Sequence, residues 1–177
     1  ELKSLTRHRS RLVSSRAKAK IHLARLVDIL FPELPSVCWS LSQKSILSLL
    51  KVLPGATRIA GCRIDRLTNL LSESSHGKYK QGKAEEIKVL ARQSVGRGSE
   101  ALSFELIQVI ESIQFFERQI HVLDKQLAGF VKALGTPLLS IPGIGCTLAA
   151  IILAEIGDIN RFASPDKLLA FAGLDPS

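Results

Sequence analysis

Methionine is absent from all 177 residues, position 1 included. Aromatic residues are scarce at 5%, with one Trp and one Tyr. That scarcity argues against base-stacking RNA modules, which display exposed aromatic platforms. The three cysteines, Cys38, Cys62 and Cys146, are an odd number with no close spacing. They exclude a disulfide framework and a cysteine-based zinc site, and they fit a reducing cytosol, so a cytoplasmic location is expected. The histidines His8, His22, His76 and His121 are scattered, and none has the i, i+4 spacing of a metal pair. No Gly-x-Gly-x-x-Gly, Walker loop or Gly-x-Ser-x-Gly occurs. The chain therefore carries no local enzyme site, and neither a catalytic residue nor a metal ligand is expected in it. Glu155 and Asp158, three apart, read as a solvated helix end rather than a metal pair. The missing Met and the stop at Asp175-Pro176-Ser177, directly after an apolar run, read as a piece of a longer protein.

What is present suffices for a core: 46% of residues are hydrophobic and 23% charged. The net charge of +8 is unevenly spread. Residues 1–99 hold 19 Lys/Arg against 7 Asp/Glu, and residues 100–177 hold 5 against 9. A basic stretch of this kind suits a polyanionic partner.

Every periodic stretch repeats at 3.5 or 3.6 residues and none alternates, so the fold class is all-α. Residues 1–30 read as one helix, with Leu2, Leu5, Leu12, Ala19, Leu23, Leu26 and Leu30 in an apolar arc. Arg7, Arg11, Lys18 and Arg25 line up on the opposite face. They are the first candidates for contact with nucleic-acid phosphates. Arg9, Arg16 and Lys20 lie close to the apolar arc, where they either snorkel past it or meet phosphates or a partner's carboxylates. Phe31-Pro32-Glu33-Leu34-Pro35 ends the helix. Helices over 41–53 and about 56–72 follow, then a polar loop over 73–82 and a helix over 83–93. In the loop region Lys78, Lys80 and Lys83 either touch a backbone phosphate or are solvated lysines, the second reading being favoured. Gly96-Arg97-Gly98 breaks the chain.

Leu102, Leu106, Val109, Ile113, Phe116, Ile120, Leu123, Leu127, Phe130 and Leu134 then repeat at 4-3 spacing throughout. That is a coiled-coil seam on a helix longer than a small domain is wide. It must pack on another long helix, either helix 1–30 or a second copy of the chain. In the second case Leu106, Val109, Ile113, Phe116, Ile120, Leu123 and Leu127 form the interface of a homo-oligomer, a dimer or tetramer. Residues 133–154 carry no charge, but Pro137, Pro142, Gly143 and Gly145 divide them, so no membrane span is expected. The expected organisation is a basic helical connector over 1–99, a coiled-coil helix over 100–136 and a hairpin-bearing segment over 137–177.

The hairpin Leu139-Ser140-Ile141-Pro142-Gly143-Ile144-Gly145-Cys146-Thr147 resembles a helix-hairpin-helix signature. Gly143 and Gly145 let the backbone turn and present N–H groups at a helix start, where a phosphate is held without sequence reading. A purely structural αα-hairpin is the alternative, because no Lys or Arg lies between 133 and 160 apart from its borders.

The string Leu139 to Gly145, then Ala149 to Asp158, Arg161-Phe162, and Lys167 to Pro176, resembles the C-terminal domain of DEDD-type insertion-sequence transposases. These are bridge-RNA-guided DNA recombinases that join a ribonuclease-H-like domain to a catalytic-serine domain. Leu5-Thr6-Arg7-His8-Arg9, Phe31-Pro32-Glu33-Leu34, Lys83-Ala84, Leu90-Ala91 and Ser94-Val95-Gly96 resemble the family's middle region. The resemblance implies DNA and a guide RNA as partners. It also implies Mg2+ in the parent protein, held by four acidic ligands located before residue 1. The family's serine lies in a Ser-Gly pair that Ser177 does not match, so this stretch is expected to be inactive alone, contributing nucleic-acid binding and subunit assembly. A non-enzymatic coiled-coil scaffold is the other reading. A DNA-repair hairpin module is disfavoured by the string after residue 155.

Overall fold

The computed structural model describes residues 1–174; Asp175, Pro176 and Ser177, and the reading of Ser177 with them, lie outside the described residues. The described residues form α-helices joined by short 3-10 turns, without a strand. The helices are α1 (Leu2–Leu30), α2 (Lys44–Val52), α3 (Ala56–Gly61), α4 (Ile64–Ser74), α5 (Gln81–Gln93), α6 (Glu100–Ala133), α7 (Cys146–Ile156) and α8 (Pro165–Phe171). The fold is all-α, as the periodicity requires.

Two compact units divide the chain: Leu12–Gln119, and Glu1–Arg11 with Ile120–Ser177. These are not the sequence divisions at 99 and 136. The reason is length: at about 1.5 Å per residue α1 and α6 each outrun one small core, so both units draw on both helices.

In the larger unit, Leu23, Leu26, Val27 and Leu30 of α1 share one core with Leu47 and Leu50 of α2 and Leu106, Ile110 and Ile113 of α6. Lys20 reaches Glu117 at 3.7 Å and His22 Nε2 lies 2.9 Å from Glu105. As α1 advances its α6 partners recede, so the two run antiparallel here. The helix expected over 56–72 is two helices. Cys62 and Arg63 are extended, with ψ of 143° and 141°. The Lys88 ammonium donates to the Cys62 carbonyl at this break, satisfying an acceptor that the interrupted helix leaves open.

The end of α1 is held by the chain that precedes α6. Glu33 accepts from the Ser94 hydroxyl and from the Val95 N–H at 3.0 Å. The Arg97 N–H donates to the Ile29 carbonyl at 2.9 Å. Gly96 passes so near that an added Cβ would lie 2.5 Å from the Leu30 carbonyl oxygen. The Ser94 hydrogen bond, foremost, holds the Glu33 carboxyl below the usual carboxylate range.

In the smaller unit Leu127 and Val131 of α6 pack with Ala149 and Ala150 of α7, and Leu2 and Leu5 of α1 cover them. The strict heptad thus fails at its end. Phe130 and Leu134 are 44% and 62% exposed, and Val131 takes the buried place. A straight α-helix drifts about 20° per heptad against a 3.5 repeat, so over roughly four heptads the apolar face rotates off the a/d line.

Candidate nucleic-acid interface

The polar face of α1 is built by exclusion. Helical spacing that buries Leu23, Leu26 and Leu30 leaves Arg7, Arg11, Lys18 and Arg25 outward, and all four are exposed. Arg11, Lys18 and Arg25 have no ion pair among the described residues. Arg7 has a loose one, with Nε 3.9 Å from Glu155. Lys3 binds the same carboxylate at 3.0 Å, and this hydrogen bond is the main cause that lowers the Glu155 pKa. Glu155 therefore faces cations of α1. Lys3, Ser4, Arg7, Ser10 and Arg11 line a shallow open depression. Guanidinium, ammonium and hydroxyl donors together are the groups that contact phosphate oxygens without reading bases. Lys3, Ser4 and Ser10 do not stand out in the sequence because the serines carry no charge; their helical spacing from Arg7, four residues for Lys3 and three for Ser4 and Ser10, was the available signal.

The cations flanking the apolar arc do something else. Arg9 Nε lies 2.6 Å from Asp124 Oδ1, with the two side chains only 22% and 33% exposed. The Thr147 hydroxyl donates to the same Asp124 oxygen at 3.2 Å. One carboxylate thus ties α1 to α6 and to the first turn of α7. Lys20 likewise meets Glu117. Arg9 and Lys20 thus meet carboxylates of their own chain, where the sequence had suggested snorkelling, phosphates or a partner's carboxylates.

The hairpin has a 3-10 turn, Pro137–Ser140, before α7. Gly143 has φ of 88° and needs the freedom of glycine. Gly145 precedes α7 with φ of −83°, and a Cβ there would meet nothing within 4 Å. The fold therefore demands glycine at 143 and not at 145. Asp124 beside Thr147 brings a negative charge to the positive end of α7, an arrangement that stabilises the helix start without an external anion.

The seam candidates Leu106, Val109, Ile113, Ile120, Leu123 and Leu127 are buried within the single chain, and Phe116 is partly buried. Of the two partners that the spacing allowed, the intramolecular one accounts for this burial. No three His, Cys, Asp or Glu side chains gather as a group that could hold a metal ion among the described residues. None of the described helices is long and apolar enough to cross a membrane.

No curated protein and no solved structure matches the chain. A family model described as "Transposase IS116/IS110/IS902 family" matches residues 135–177, the stretch that contains the hairpin, α7 and α8. That match makes the C-terminal segment similar to insertion-sequence transposases and supports a transposase-related function for the chain.

Proposed function

We propose that this chain works as the connecting part of an insertion-sequence transposase and that the α1 cations hold nucleic acid by its phosphates. The observation that carries the reading is the exposed, largely unpaired row Arg7, Arg11, Lys18 and Arg25 in a chain whose end matches a transposase family. Four like charges on one face repel one another and contribute little to folding. Phosphates neutralise them, and released counterions drive the association. Contact through phosphate gives affinity and register but no sequence choice.

The finer reading is that of the DEDD-type, bridge-RNA-guided recombinases. In it the cation row meets DNA or guide RNA, and Mg2+ is held by residues outside this chain, which is inactive alone. Subunit assembly through the α6 seam requires Leu106 to Leu127 to leave their intrachain contacts. We therefore place any homo-oligomer contact outside the buried seam. The scaffold reading predicts no nucleic-acid affinity, and the seam it would use is already covered within the chain.

Fluorescence anisotropy of labelled duplex DNA and of a structured RNA, titrated with the full chain over a range of salt, separates the two. Affinity that falls steeply and about equally for unrelated sequences supports the phosphate reading. No binding at low salt refutes it and leaves the scaffold.

A further inference from the structure

Trp39, the chain's one tryptophan, is 92% exposed. A single exposed apolar side chain is ordinary on its own, but an indole held on a fixed turn with cations around it makes a stacking position. The turn is fixed. Val37, Cys38 and Leu41 around it pack on the core of the larger unit, and α5 packs against the 3-10 turn Leu34–Val37. The segment that links α4 to α5 is pinned beside the same region, where the Tyr79 hydroxyl donates to Gln43 Oε1 at 2.9 Å. Lys83 lies close enough to Cys38 for its charge to pull on the thiol, although burial dominates there and raises the thiol's pKa.

Residues 34–44 and 74–84 therefore lie side by side. Together they carry Lys44, Lys78, Lys80 and Lys83 and no acid of their own, while Glu33, Glu73, Glu85 and Glu86 border them. Lys44, Lys78 and Lys80 are exposed with no ion pair among the described residues, and Lys83 is shared with Glu86 at 2.8 Å.

We propose that this surface binds single-stranded nucleic acid, with one unstacked base on the Trp39 indole and the flanking phosphates on Lys44, Lys78, Lys80 and Lys83. A duplex hides its base faces in the stack, whereas a single strand offers them, and every base has a π-face. The choice of strand over acidic peptide rests on the pairing of a bare indole with lysines. Stacking plus phosphate contact uses both features; a peptide carboxylate uses only the charge. One aromatic does not make the multi-aromatic platform that the composition excludes, but it makes one stacking position. The proposal uses none of the α1 cations.

The test reads Trp39 directly, since no other tryptophan contributes. The full chain is titrated at low salt with oligothymidine, oligouridine, a duplex of equal length and polyglutamate, following indole emission. Saturable quenching by the single strands, weaker by duplex and absent with polyglutamate, is the expected result. Trp39→Ala should weaken anisotropy-measured single-strand binding roughly 10- to 100-fold, the worth of one base–aromatic stack, and Trp39→Phe should recover most of it. The double change Lys78→Gln, Lys80→Gln should lower the salt slope by about 1.4. Trp39, Lys78 and Lys80 are all exposed, so unchanged circular dichroism is expected and checks the fold. Replacing Arg7, Arg11, Lys18 and Arg25 by Gln should leave the quenching in place, so failure of the α1 reading is seen separately. Absent quenching, equal quenching by duplex, quenching by polyglutamate, or full binding by Trp39→Ala would each overturn the proposal.

Discussion

Replacing Gly96 by Ala tests the clasp that closes the larger unit. The new Cβ would sit 2.5 Å from the Leu30 carbonyl oxygen and 2.8 Å from its carbon. An ordinary C···O approach is about 3.3 Å or more, so one backbone segment must retreat by roughly 0.8 Å. Both are backbone and neither is free to move. The Leu30 carbonyl belongs to the last turn of α1, whose side chain is in the core. Residues 95–97 hold two hydrogen bonds, Val95 N–H to Glu33 and Arg97 N–H to the Ile29 carbonyl. Overpacking costs about 1–3 kcal/mol, and stretching the two bonds adds about 1 kcal/mol each. We expect a loss of about 3–5 kcal/mol, hence a melting temperature lower by roughly 12 °C or more for a unit near 100 residues. Thermal melting followed by far-ultraviolet circular dichroism measures it. Gly82→Ala is the control: that glycine is exposed in α5 with nothing within 4 Å, and the change should leave stability unchanged or raised by up to about 1 kcal/mol. If Gly96→Ala melts with Gly82→Ala, the close approach is wrong.

Ile113→Asp should unfold the larger unit rather than dissociate subunits, because Ile113 is fully buried in one chain and an unpaired carboxylate there has no partner. Light scattering that shows a folded monomer replacing an oligomer would contradict this. Asp124→Ala should cost about 1–2 kcal/mol, discounted for partial exposure, by freeing Arg9 and Thr147. Hydrogen exchange should then quicken in α7 and hold steady in α2 to α5. The Glu33 carboxyl is lowered in the folded state, so its contribution is present above the ordinary carboxylate range and lost as pH falls through the lowered value. Ser94→Ala should flatten that acid limb of a pH–stability profile, and an unchanged limb would refute the assignment.

The sequence made helices legible where one physical rule acted alone. The repeat from Leu106 to Leu127 names the buried face of α6 because burial follows helical phase, and the same rule turns Arg7, Arg11, Lys18 and Arg25 outward. It failed at Phe130 and Leu134, where small drift accumulates over a long helix. The break at Cys62 was hidden because Lys88, remote in sequence, satisfies the freed carbonyl. Phe31-Pro32-Glu33-Leu34 and Ser94-Val95-Gly96 were each noticed, but nothing local shows that Glu33 meets Ser94. Arg9 was ambiguous for the same reason: its partner Asp124 is 115 residues away. Trp39 escaped because a lone exposed side chain has no period to betray it.

Whether the α1 row holds phosphates is read most directly from the salt dependence of binding. Log affinity for one duplex and one RNA is plotted against log salt for the unmutated chain and for the variant with Arg7, Arg11, Lys18 and Arg25 all changed to Gln. Four exposed cations at roughly 0.7–0.9 each predict a slope reduced by about 3, or slightly less if Glu155 keeps Arg7. The loss should be similar across sequences, and melting should be unchanged. An unaltered slope and affinity would contradict the claim and leave the row as a solvated surface.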